Sequence, residues 1–281
     1  MDTSTLVPII NLSLIAAILV VWRLWQRSGR LLLAVIFATT IASCLHFALA
    51  AATHHGTLSD LGSLIKLIGV WPLGLGSLVA YSLLPAHRRH DYLPVFTQYI
   101  NAAVLGNIAM MFFLHTGDTL RGQLHRVNCV LLVTWLVQEM RLKKWATVSV
   151  NRQGLFLFNA SPLAWVLCHA MYRGAMVTLP RFDTTRFLVL EPASLATMVL
   201  LGRRAKAQSW EQVTAWFGLA DTLVVATIVF ASSVWSAFGM VVPALISSED
   251  SEYWLDRMVS GLHLVVGLVA AFHIVCHLRR M

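Results

Sequence analysis

Apolar residues along this chain fall into blocks of membrane length, separated by short polar and basic stretches. A helix that spans the hydrocarbon core needs about 20 predominantly apolar residues. Such blocks lie at 5–22, 31–52, 61–84, 95–116, 127–141, 155–179, 187–202, 212–246 and 257–278. The fifth and seventh are short. The eighth is too long for one simple span, with candidate breaks at Ser232–Ser233 and at Gly239. The pattern predicts an all-α, polytopic transmembrane bundle of seven to nine segments, forming one integral membrane domain over residues 1–281.

Loop charge then orients the blocks, because cytoplasmic loops carry the excess of Lys and Arg. With the first loop cytoplasmic and the eighth block crossing once, the cytoplasmic side collects Arg23, Arg27, Arg30, Arg88, Arg89, Arg141, Lys143, Lys144, Arg152, Arg203, Arg204, Lys206, Arg279 and Arg280. The opposite side holds Arg121, Arg126, Arg181, Arg186 and Arg257. This bias predicts nine segments with the N-terminus outside or lumenal and the C-terminus cytoplasmic. In a eukaryote the expected location is the endoplasmic reticulum membrane. No basic region precedes the first block and no A-x-A site follows it, so that block reads as a retained helix. Ser209 to Gln212 match the S-x-x-Q capping pattern ahead of the eighth block. Trp22, Trp25, Trp145, Trp210 and Trp254 fall near block ends, where indole rings favour the interface.

Composition agrees with the blocks. The 281 residues are 58% hydrophobic and 12% charged, whereas average soluble domains are about a quarter charged. The net charge of +8 would suggest nucleic acid in a soluble protein. Here the basic residues sit between apolar blocks, where insertion topology and headgroups account for them, and no nucleic-acid partner is expected. Cys44, Cys129, Cys168 and Cys276 lie inside apolar blocks without a C-x-x-C pair, so neither a disulfide scaffold nor a zinc site follows.

Histidine spacing invites three metal readings. His273 and His277 form HxxxH, His87 and His90 form HxxH, and His54 and His55 are adjacent. The predicted topology puts His54 and His55 outside and the others inside, so they do not share a di-iron centre. His263 and His277 have the fourteen-residue interval of a bis-haem helix, but no second helix repeats it. No phosphate-cradling glycine loop, GxSxG elbow or DDxxD-type motif occurs. No metal and no cofactor are expected.

Ionisable groups inside the blocks carry the functional reading, since a charge at membrane depth costs about 2.5–3.5 kcal/mol on insertion scales. Asp221 lies near the middle of the eighth block, Glu191 just inside the seventh, and Arg173 near the outer end of the sixth. His46, Lys66, His115 and His263 sit in the outer half of their blocks, and His169 is nearer the middle. Together they suggest a polar cavity open toward the non-cytoplasmic leaflet. The plainer readings are a structural Arg173–Glu191 pair across a helix hairpin, a snorkelling Lys66, and hydrogen-bonded packing histidines. Glu139, beside Arg141 and Lys143, reads as interfacial and exposed. Asp221 has no sequence neighbour within a turn to neutralise it, and apolar surroundings favour the protonated, proton-donating form of a carboxyl group.

Aromatic residues including Trp71, Trp135, Trp165, Tyr172, Trp216 and Trp235 populate the same blocks. Around a buried acid their ring faces would suit a cationic intermediate. The size, helical layout and isolated membrane carboxylates resemble the small integral-membrane terpene cyclases of fungal meroterpenoid pathways, in particular the ascofuranone and macrophorin type. The N-x-x-W-E segment of the better-known group is absent here, and no residue role is carried over. The resemblance implies a cyclase in which a membrane acid protonates a terminal epoxide or olefin of a prenylated substrate, and the polyene then closes into rings. Asp221, Glu191 and Glu139 are the candidate acids. Arg173, His169, Trp165, Trp216 and Lys66 are the candidate substrate contacts. A transporter or proton-coupled carrier is the alternative, with Asp221 and Lys66 lining its path. The expected partners are a hydrophobic prenylated small molecule and the lipid bilayer.

Overall fold

The computed structural model describes residues 3–52, 64–65, 67–113, 119–150, 156–176, 226 and 249–279. These residues are mostly helical, and three helices are long and apolar enough to cross a membrane: Leu12–Leu49, Ala86–Phe113 and Trp254–Leu278. The chain forms two compact units. One contains residues 9–92, and the other is built chiefly from residues 93–219 and 242–281.

In the first unit the two leading blocks join into one element, α1 (Thr3–Ala52), where two helices and a loop were expected. The apolar run Leu12–Leu49 would extend about 57 Å as a straight helix, roughly twice the hydrocarbon thickness. A break at Ser28 (φ −150°, ψ 57°) divides it among Arg23, Arg27 and Arg30, all exposed, where the sequence placed a polar loop. Each part then has about the length of one crossing. Helix α2 (Leu67–Ser82) packs antiparallel to the stretch of α1 from Trp25 to Thr39, on both sides of the break. Trp25 Nε1 donates to Ser82 Oγ at 2.9 Å, and Trp71 Nε1 donates to Thr39 Oγ1 at 2.9 Å. Leu83 lies so near Gly29 that a Cβ there would come within 3.1 Å of Leu83 Cδ2. Pro72 lacks the N–H that a regular helix uses, and α2 widens into a π turn over Trp71–Gly76.

The second unit is a helical bundle. Helix α3 (Ala86–Met110) enters it from residue 93, and α4 (Leu120–Leu142), α5 (Leu163–Met176) and α6 (Glu249–Leu278) follow. Thr119 caps α4, its hydroxyl accepting from Gly122 N at 3.2 Å. This helix begins well before the expected block at 127, so Arg121 and His125 belong to it, and not to an outer loop. Its other end closes through Lys144 (φ 51°) and Trp145 (φ 63°), both left-handed. Trp145 N reaches Met140 O at 2.8 Å, and Asn101 Nδ2 of α3 donates to Trp145 O at 3.1 Å. The Thr147 hydroxyl donates to Asn101 Oδ1, so α3 holds the turn from both sides.

A short antiparallel hairpin follows, β1 (Val148–Val150) with β2 (Phe156–Phe158), Ser149 facing Leu157. The sixth block was expected to be helical from 155. Instead its first residues form β2, and α5 starts only after Pro162. Proline is unfavourable inside a helix but suits its entrance, which explains the delayed start.

Candidate functional site

Contacts along the second unit set the helix directions. Trp165 of α5 meets Leu132 of α4, and Tyr172 meets His125, so these helices are antiparallel. Along α6, Asp256 lies beside Arg121, His263 beside Asn128, His273 beside Trp135 and His277 beside Glu139. Both series ascend, so α4 and α6 run parallel. Polar groups gather in two places on this interface, separated by the buried apolar residues Leu132, Leu136, Val266 and Ala270.

The first cluster is buried apart from Asp256 at its edge. Arg121 and Asp256 approach to 3.5 Å at its outer edge. One turn deeper, His125 stacks on Tyr172 with centroids 4.8 Å apart and planes 11° from parallel. His263 meets both rings edge-on, at 5.9 Å from His125 and 6.1 Å from Tyr172. Asn128 fixes His263. A main-chain carbonyl only accepts, so the Asn128 atom 2.8 Å from His263 O is the amide nitrogen. The same Nδ2 donates to His263 Nδ1 at 2.9 Å, which places the ring proton on Nε2. His125 Nε2 lies 3.1 Å from Met111 O and therefore carries a proton too, with Tyr172 Oη at 3.2 Å. Gly267 makes room for this arrangement, since a Cβ there would stand 2.8 Å from Asn128 Oδ1.

The second cluster surrounds Glu139. His277 Nε2 lies 3.2 Å from Glu139 Oε1, and Trp135 Nε1 donates to the same oxygen at 3.1 Å. His277 Nδ1 donates to His273 O at 2.7 Å. The His273 ring in turn stacks on Trp135 at 4.3 Å and 10°. Glu139 is thus directed into the α4–α6 interface with its side chain 12% exposed, which corrects the expectation of an exposed interfacial carboxylate. Neither the His277 nor the Trp135 contact uses Oε2.

Of the other expected site residues, Trp165 and His169 are brought together on α5. Trp165 Nε1 donates to Leu132 O at 3.0 Å, and its ring stacks on His169 at 4.8 Å. His169 continues the stack toward Tyr172. Arg173 is half-buried on the same helix. His46 is exposed on α1. Asp221, Glu191, Trp216, Lys66 and His115 lie outside the described residues. Among the described residues no three His, Cys, Asp or Glu side chains converge as a ligand set.

His125, Asn128, Ser260 and Asp256 escaped the sequence reading. The signal was present as three polar stripes at helical spacing: Arg121, His125 and Asn128; Trp165, His169 and Tyr172; and Asp256, Ser260, His263 and Gly267. Each places its members on one helix face. No family model matches the chain, nor does any curated protein or solved structure.

Proposed function

We propose that this protein is a multi-pass membrane enzyme that closes the polyprenyl chain of a prenylated small molecule by acid-initiated cyclisation. The observation that carries the reading is Glu139, a carboxyl group enclosed between an indole N–H and an imidazole at the α4–α6 interface. Such chemistry needs a proton held away from water and ring faces near the resulting cation. The proton must then be carried on Oε2, the oxygen that neither Trp135 nor His277 contacts, while Trp135 Nε1 and His277 Nε2 stabilise the carboxylate left behind at Oε1. Protonation of a terminal epoxide breaks a C–O bond and yields a hydroxyl, whereas protonation of an olefin yields a tertiary cation. Successive attack by the remaining double bonds closes the rings. Loss of a proton ends the sequence, so the reaction is an isomerisation without net redox change. Trp135 and His273 lie beside the acid, where an aromatic face would meet the first cation.

The topology of seven to nine segments, with the N-terminus outside and the C-terminus cytoplasmic, belongs to the same proposal. Parallel α4 and α6 support it, because two parallel spans require an odd number of crossings between them, and blocks six to eight supply three when the eighth crosses once. In a eukaryote the endoplasmic reticulum is the membrane that follows.

One observation favours a proton-coupled carrier. Titratable pairs recur along the α4–α6 interface at Arg121–Asp256, His125–His263 and Glu139–His277. Across the apolar layer, however, the nearest titratable groups on α6, His263 and His273, stand ten residues and about 15 Å apart along the helix, far more than one proton hop. Microsomes containing the full chain, given farnesylated phenols with a terminal olefin or epoxide, separate the readings. Cyclised product that Glu139→Gln abolishes supports the cyclase. Absence of product from the wild-type protein refutes it, and product retained by Glu139→Gln but lost with Asp221→Asn or Glu191→Gln moves the acid to that residue.

A further inference from the structure

Inward of the Arg121–Asp256 pair, the first cluster contains three buried polar atoms that the described residues leave without a hydrogen-bond partner: His125 Nδ1, His263 Nε2 and Ser260 Oγ. Both histidines have 0% of their surface exposed. Their proton positions follow from fixed neighbours: Met111 O holds the His125 proton on Nε2, and Asn128 holds the His263 proton on Nε2. His125 therefore offers a bare lone pair at Nδ1, and His263 offers an N–H at Nε2. Ser260 stands one turn before His263 on α6 and supplies a hydroxyl that rotates to either role.

An unmade hydrogen bond at a buried group costs about 1–3 kcal/mol, and a bilayer holds no bulk water to relieve it. Three such atoms within one helix turn and one helix interface call for an occupant. That occupant must donate to His125 and accept from His263 at once. A carboxylate or phosphate would turn lone pairs toward His125 Nδ1, and an ammonium would turn protons toward His263 Nε2. A hydroxyl satisfies both, and its neutrality suits two neutral rings in a low-dielectric layer. A nitrogen lies about 1.1 Å from its imidazole centroid, so hydrogen bonds of ~2.8 Å put each centroid about 3.9 Å from a shared oxygen; the 5.9 Å between centroids then fits a bridge bent to about 100° at that oxygen. Along α5 the rings of Tyr172, His169 and Trp165 stack in series beside the cluster, so the body of a hydrophobic molecule would run along their edges, not against their faces.

We propose that the α4–α5–α6 core binds one neutral hydroxyl group, that of a hydrophobic alcohol or phenol, between His125 Nδ1 and His263 Nε2. The site does not depend on cyclisation. The probes are a farnesylated phenol and its O-methyl ether, titrated onto the full-length chain in lipid nanodiscs and followed by tryptophan fluorescence. The ether keeps the acceptor oxygen and loses the donor. The phenol should bind at least tenfold more tightly than the ether, and His263→Phe or His125→Phe should bring that ratio to near one. Equal binding of the two probes by the wild-type chain, the result expected if water alone fills the site, overturns the proposal; so does a ratio that survives both substitutions. The wild-type comparison decides the matter even if a variant fails to fold. Selective binding without cyclised product would keep the site and remove the cyclase, and product without selectivity would do the reverse.

Discussion

Helix α6 carries two glycines, Gly261 and Gly267, for which alanine should have opposite effects. In a helix interior, alanine is favoured over glycine by about 1 kcal/mol. At Gly261 a Cβ would meet nothing within 4 Å, so Gly261→Ala should realise most of that gain. At Gly267 the Cβ would stand 2.8 Å from Asn128 Oδ1 and 3.8 Å from Leu131 Cδ1. Ordinary contact begins near 3.4 Å, and Asn128 is only 1% exposed, so the amide cannot swing aside into open space. A shift of about 0.6 Å or more stretches both bonds from Nδ2 to His263, now 2.9 and 2.8 Å, toward the limit of hydrogen bonding. Losing them removes about 1–3 kcal/mol and leaves a buried amide without full partners. Set against the propensity gain, this makes Gly267→Ala net destabilising by up to about 2 kcal/mol. Thermal unfolding in nanodiscs reads this directly, at about 2–4 °C per kcal/mol for larger domains. Gly261→Ala should melt at or above the wild-type temperature and Gly267→Ala several degrees below it. In the Asn128→Ala background the Gly267→Ala penalty should disappear, because the obstructing oxygen is gone. A Gly267→Ala protein as stable as Gly261→Ala, or a penalty that persists without Asn128, would refute the placement of Asn128 against α6.

Lys144 is exposed and left-handed, so Lys144→Gly should raise stability by about 1 kcal/mol, seen as a higher melting temperature; a decrease would show that the α4 exit turn does not hold Lys144 left-handed. Asn101→Leu should lower stability by about 2–4 kcal/mol, since it strips partners from both Trp145 O and the buried Thr147 hydroxyl. Asp256→Ala should cost about 1–3 kcal/mol, because Arg121 is 4% exposed while Asp256 is 30% exposed and partly screened; a loss that Arg121→Met does not reduce would show that the two are uncoupled. Reporter fusions after Lys144 and after Arg279 should read the same side of the membrane, since parallel α4 and α6 end there. Opposite sides would contradict the parallel packing.

Period and composition were enough to establish helices of membrane length, because burying an apolar face in lipid depends on local runs of residues. The blocks at 5–22 and 31–52, 95–116 and 257–278 therefore coincide with most of Leu12–Leu49, Ala86–Phe113 and Trp254–Leu278, although residues 86–94, read as a basic loop, are already helical. The interruption near Arg23 to Arg30, where charge cannot stay in hydrocarbon, was legible too, although its form as a break at Ser28 within one element was not. The start of α4 was missed because Arg121 and His125 lower the local hydropathy; they become tolerable only when Asp256, Tyr172 and Met111 O face them from elsewhere in the chain. Glu139 illustrates the same limit. Its neighbours Arg141 and Lys143 argued for the interface, yet its partner His277 is supplied by a helix more than a hundred residues later. A hydrophobic stripe reports on its own helix, whereas a buried polar group is explained by whatever meets it. Which histidine nitrogen carries a proton, and which is left to hold a ligand, was decided only when α4, α5 and α6 packed together.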